Sequence, residues 1–270
     1  MCYDVQTLTK KIIKYAESRG VSPEEIAILV KELDQLKDKK PIFHTNAYEH
    51  RELPVFTAEK PLSIQFYKWG LIPNTYTTSS AAQEIRTKTL NARSETIFEL
   101  PSFKESITCR RCLVIVDGFY EHHHKNGKTY PFYIQKASEE PMYLAGIYDT
   151  AIVDGKEEKT VSIITTEGNT LLSKIHNNPK MKGPRMPVIL DKEDFDQWFT
   201  NPAISQKQHQ QLQQLFKSYN TEALKAHTVA KIRGKEANPT NENAASEFIY
   251  KELRNGVGSI SNSPEQLNLF

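Results

Sequence analysis

Residues 113–135 read LVIVDGFYEHHHKNGKTYPFYIQ, and their pattern decides the fold class. Leu113 to Val116 is a continuous run of apolar, mostly β-branched residues, and Tyr130 to Gln135 is a second strand-like run rich in aromatics. Between them, Lys125-Asn126-Gly127-Lys128 holds the Asn-Gly pair that a tight hairpin favours, because both central residues adopt positive φ. Short runs of the same kind recur at Ser63 to Tyr67, Tyr143 to Tyr148, Val161 to Thr166 and Pro187 to Leu190. Few helical patterns interrupt them, so the sheet they form should be curved and mostly antiparallel.

Helical signals lie outside this region. Thr7 to Ser18 is amphipathic and ends near Gly20, a plausible C-cap. Ser22-Pro23-Glu24-Glu25 starts a second helix with an N-cap, a proline in the first helical position and a capping-box glutamate. Ile26, Leu29, Val30, Leu33 and Leu36 then form one apolar stripe towards Lys37. Asp191 to Phe199 and Ser205 to Tyr219 also read as helices. The class is α+β. Composition becomes polar near residue 235, which divides the chain into a domain over 1–235 and a flexible tail over 236–270, with one short helix expected over Ala244 to Arg254.

Bulk composition narrows the function. The chain has 270 residues, 35 basic and 33 acidic, for a formal charge of +2. A broad polyanion-coating surface is therefore not indicated, and any nucleic-acid site must be local. No apolar run approaches membrane-spanning length and no secretory signal is evident, which points to the cytoplasm. Three cysteines without an export signal read as reduced thiols.

Cys2 carries the sharpest chemistry. Removal of Met1 would leave a free α-amine and a thiol on adjacent carbons. An α-amine has a pKa near ~7.7, so much of it is neutral and nucleophilic at physiological pH. Such an amine forms an imine with an aldehyde, and the neighbouring thiol can close a five-membered thiazolidine. Glu121 and His176 are candidate proton carriers, and the Asn91 amide can both donate and accept hydrogen bonds.

Cys2, Trp69-Gly70-Leu71-Ile72-Pro73, Asn91-Ala92-Arg93-Ser94-Glu95-Thr96, Asp117-Gly118-Phe119-Tyr120-Glu121 and His176 followed by Arg185-Met186-Pro187-Val188-Ile189-Leu190 occur in one order. The set resembles the SRAP family, the SOS response-associated peptidase-like proteins. That resemblance spans Cys2 to about Trp198. It implies a β-barrel-like core flanked by helices, single-stranded DNA binding, and a covalent crosslink from Cys2 to the open-chain aldehyde of an abasic site. It further implies self-removal of Met1, an accompanying lyase activity, and Cys2, Asn91, Glu121 and His176 as the catalytic set. When bound to DNA, such a protein would sit on the nucleoid.

Arg93 and Arg185 lie inside the matched motifs and could each hold a phosphate. Other basic residues near the motifs are Lys68, Arg86, Lys88, Arg110, Arg111, Lys180 and Lys182. Trp69 and His122 could stack on bases. Three departures from the family pattern stand out: Tyr3-Asp4 after Cys2 in place of Gly-Arg, His122 in place of tryptophan, and an insertion over 177–184. Cys109-Arg110-Arg111-Cys112 has metal-motif spacing but lacks a second cysteine pair, and the chemistry calls for no metal or cofactor. Finally, Gln266-Leu267-Asn268-Leu269-Phe270 resembles the pentapeptide with which many bacterial repair proteins dock on the sliding clamp, with Gln266, Leu267, Leu269 and Phe270 as its anchors. Two other readings compete: a cysteine peptidase or amidase using Cys2, His176 and Asn91, and a noncatalytic DNA-binding adaptor tethered to the clamp.

Overall fold

The computed structural model of the chain describes residues 2–7, 22–24, 26–27, 41–61, 63–180, 182–200, 205–234, 237, 242–253 and 259–260. The strands are β1 Asp4–Thr7, β2 Ile42–Asn46, β3 Glu52–Thr57, β4 Gln65–Trp69, β5 Asn91–Arg93, β6 Arg111–Val116, β7 Gly118–Lys125, β8 Lys128–Lys136, β9 Met142–Val153, β10 Lys156–Glu167, β11 Arg185–Pro187, β12 Ile189–Leu190, β13 Leu224–Thr228 and β14 Ser259–Ile260. Among the described residues the helices with full bounds are α1 Ser79–Lys88, α2 Lys104–Cys109, α3 Thr170–Ile175, α4 Phe195–Phe199 and α5 Gln206–Gln213. No described helix is long and apolar enough to cross a membrane.

A closed barrel forms the centre. Strand β4 pairs with β3, β3 with β6, β6 with β9, and β9 with β10, all antiparallel. Strand β10 then returns to β4 in parallel, and closure removes the exposed edges an open sheet would present. Strand β6 explains its own composition. Cys112, Val114 and Val116 pack into one core cluster while Leu113 and Ile115 pack into another. Both faces are dry, so alternation with polar residues is absent.

A second sheet runs β14-β13-β8-β7-β1-β2. The Asn126-Gly127 turn joins β7 to β8 with φ of 51° and 73°, as the dipeptide predicts. Gly118 to Tyr120 form the start of β7. A Cβ at Gly118 would lie 2.5 Å from the Ile134 carbonyl oxygen and from the Tyr133 ring. The glycine therefore permits close packing of strands rather than a reversal.

Several helical expectations change. Thr7 ends β1 rather than starting a helix, and its hydroxyl donates to the Ile115 carbonyl at 3.0 Å. The remainder of the two N-terminal helices falls largely outside the described residues. Helix α5 stops at Gln213, and Tyr219 turns away to donate to Asp191 at 2.8 Å. Residues 244–253 are not one helix, because β13 takes up their backbone groups. Phe248 N–H donates to the Thr228 carbonyl at 2.8 Å, the Thr228 hydroxyl donates back to the Phe248 carbonyl at 2.7 Å, and only Lys251–Leu253 makes a 3-10 turn. This part of the tail is packed on the sheet, with Leu253 fully buried.

Arg111, one of the sequence's candidate basic residues, is fully buried. Its guanidinium donates to the carbonyls of Ile107, Thr108, Trp198 and Thr200. It thereby satisfies the orphan carbonyls at the ends of α2 and α4. Burial lowers its pKa to about 10, and it is unavailable to DNA.

Candidate active site

Strand β1 places Cys2. It pairs antiparallel with β7, with Asp4 opposite Tyr120 and Gln6 opposite Gly118, so continuing the register by one residue sets Tyr3 beside Glu121. Cys2 is 1% exposed, at the head of this central strand. Burial pushes its thiol well above the ordinary range, and the negative charge of Glu121 adds to the effect.

Glu121 and His176 meet from different elements. Glu121 lies on β7, where its Oε1 accepts from the His122 N–H at 3.1 Å. His176 is the C-cap of α3, a short helix started by the Asn169 side chain accepting from Leu172 N–H at 3.0 Å. The end of α3 is fastened to β7. His123 Nδ1 lies 3.1 Å from the Lys174 carbonyl, and the Asn177 amide exchanges two hydrogen bonds with the His124 backbone at 2.6 and 2.8 Å. In consequence His176 Nδ1 stands 3.0 Å from Glu121 Oε2, with both residues buried. Asn178, within the 177–184 insertion, lines the cleft beside His176, and at the far end of the insertion Gly168 N–H meets the Pro184 carbonyl at 3.0 Å.

Glu121 and His176 border a cleft of about 280 Å³, also lined by Tyr3, Asp4, His122 and Arg233. Asp4 is 2% exposed and heavily partnered. His44 Nε2 lies 2.8 Å from its Oδ1, Asn46 Nδ2 donates at 3.3 Å, and Arg233 Nε and Nη2 donate at 3.2 and 2.5 Å. Burial opposes ionisation of Asp4, but His44 and Arg233 outweigh it and hold the carboxyl below its ordinary 3.8. A depressed carboxyl stabilises the fold above its unfolded pKa, and the benefit is lost as pH falls through the folded value. Asp4→Asn should therefore melt below wild type at neutral pH, with the gap shrinking once pH drops below 3.8. Melting temperatures across an acid series check this, and a gap undiminished in strong acid would exclude a charged Asp4 as its source.

Asn91 lies on β5, opposite Ile163 of β10. Its amide Nδ2 and Oδ1 are both buried without a hydrogen-bond partner. Buried orphan amides are costly and rare, and a bound hydroxyl or phosphate would satisfy one. Among the described residues no cluster of three His, Cys, Asp or Glu side chains has the arrangement of a metal site.

A family model for the SOS response associated peptidase (SRAP) matches residues 14–235. The chain belongs to the SRAP family. It is 34% identical over 167 residues to the abasic site processing protein YoqW of Bacillus subtilis, covering 61% of this chain and 68% of YoqW. It is 28% identical over 178 residues to the abasic site processing protein YMR114C of Saccharomyces cerevisiae, covering 65% and 45%. A crystal structure of a Bacteroides thetaiotaomicron protein shares the fold with a TM-score of 0.75 at 32% identity, covering 92% of this chain and 100% of that one.

Within this SRAP domain the four residues proposed for DNA contact separate. Arg93 is exposed on β5, two residues from Asn91. Arg185 is engaged, its Nη2 donating to Glu95 at 2.9 Å and to the Thr165 carbonyl at 2.7 Å. Trp69 cannot stack on a base: it is 0% exposed, and its indole N–H donates to the Leu90 carbonyl at 2.8 Å. His122 is partly buried on the cleft wall, where burial lowers its pKa. Lys68 and Arg86 both pair with Glu158, and Arg110 with Glu105 and Asp149. The sequence reading missed Asp4, His44 and Arg233 as a group, because they are scattered along the chain and join only when β1 lies between β2 and β7. The Gln266 to Phe270 motif lies outside the described residues.

Proposed function

We propose that the chain captures abasic sites in single-stranded DNA as a covalent adduct on Cys2 and so shields the lesion. The observation that carries this reading is the Glu121–His176 pair, 3.0 Å apart, with Glu121 on the strand that flanks β1. After Met1 is removed, the Cys2 amine attacks the aldehyde carbon of the ring-opened sugar. The carbinolamine takes a proton on its hydroxyl and loses water to give an imine, with Glu121 and His176 giving and receiving protons. The Cys2 sulfur then adds to the imine carbon while its proton passes to the imine nitrogen, which completes the thiazolidine. Asn91 supplies the amide that a sugar hydroxyl would satisfy, and Arg93 takes a neighbouring phosphate. YoqW and YMR114C, named as abasic site processing proteins, support this substrate class.

The peptidase reading fits the site less well. A cysteine nucleophile works as a thiolate and needs a depressed pKa, whereas burial and Glu121 drive the Cys2 thiol upward. An imine is electrophilic enough to accept a thiol that the protein keeps protonated until ring closure. Incubation with single-stranded DNA containing one abasic site, followed by denaturing gel and peptide mass spectrometry, tests the proposal. A denaturation-resistant complex on Cys2 is expected. A complex that maps elsewhere, or turnover of peptides instead, would overturn it.

We further propose that Gln266 to Phe270 tethers the protein to a sliding clamp, its apolar residues filling clamp pockets. Deleting 266–270 should abolish clamp retention in a pull-down with purified bacterial clamp. Equal retention of the deleted chain would exclude the tail.

A further inference from the structure

Arg233 is the one permanent cation among the described residues that line the cleft; Asp4 and Glu121 bring carboxylates to the same wall. That charge balance is unfavourable for a polyanion unless Arg233 faces the ligand. Its own contacts leave it able to do so. Of five guanidinium donors, two point at Asp4 through Nε and Nη2, and the side chain remains 46% exposed. His44 and Asn46 hold Oδ1 of Asp4 at 2.8 and 3.3 Å, and Arg233 Nη2 meets Oδ2. The carboxylate is a fixed, buried post two residues from Cys2, and it orients the guanidinium over the cleft.

We infer that Arg233 binds a DNA phosphate beside the lesion, with Asp4 and His44 as its positioning residues. The inference rests on the cleft being the DNA site proposed above. The remaining donors of Arg233 can engage a phosphodiester in the forked geometry that guanidinium favours. The assignment also accounts for the cost of a buried aspartate next to the reactive cysteine: it converts a residue from the far end of the domain into part of the cleft.

The test uses full-length protein and fluorescent undamaged single-stranded DNA, so that no covalent step is involved. Binding is titrated across a salt series for wild type, Arg233→Gln and Arg233→Lys. Arg233→Gln should bind about tenfold more weakly at low salt, and its slope of log affinity against log salt should fall by about 0.7, the value of one lost phosphate contact on a single strand. Arg233→Lys, which keeps the charge without the fork, should retain the slope and lose part of the affinity. With abasic DNA, the half-saturating concentration for adduct formation should rise with the binding loss. A wild-type slope in Arg233→Gln would overturn the inference and leave the Asp4 pair as a structural tie. Failure of wild type to form an adduct would instead count against the function proposed above, because the salt series is read without chemistry.

Discussion

Cys2→Ala should reduce the denaturation-resistant complex with abasic single-stranded DNA to background. The alanine amine can still form an imine, but without sulfur no ring closes and the imine hydrolyses when the sample is denatured. Borohydride added before denaturation should recover a complex on residue 2, which separates loss of the thiol from loss of DNA binding. The substitution removes one buried sulfur atom from a site that is 1% exposed, so melting temperature reports whether the fold tolerates it. A wild-type yield from Cys2→Ala without reductant would place the linkage elsewhere.

Glu121→Gln should slow adduct formation by roughly a hundredfold, the lower end of what a positioned proton carrier contributes. Glutamine keeps the shape and can still accept from the His122 N–H that Glu121 engages at 3.1 Å. It cannot carry a proton, and it removes the negative charge facing His176 Nδ1 at 3.0 Å. Single-turnover rates over a pH series are the readout. A rate within twofold of wild type at every pH would remove Glu121 from the chemistry.

How much of this was legible beforehand depended on the range of each signal. The β7–β8 hairpin was readable because Asn126-Gly127 encodes its turn locally, at φ of 51° and 73°. Strand β6 was readable because both of its faces are buried and the run is wholly apolar. Strand β1 was not, because DVQT is short and mixed in character, and it becomes a strand only between two partners over thirty residues away. For the same reason the candidate site was legible as a set of residue types but not as an arrangement. Glu121 and His176 stood out, and the structure brings them together. Trp69 had the right ring for stacking, yet its burial in the barrel core withdraws it. Basic residues misled most, because a sequence cannot distinguish Arg111 capping two helix ends from Arg233 resting on Asp4 at a cleft.

The position of β1 in the second sheet has a consequence for biosynthesis. Strand β1 is synthesised before both of its sheet partners, yet it lies between β2 and β7, and β7 begins only at Gly118. The nascent chain must therefore keep its amino-terminal segment waiting until more than a hundred residues have followed. Contacts of such long sequence separation form late, because the intervening loop must close first.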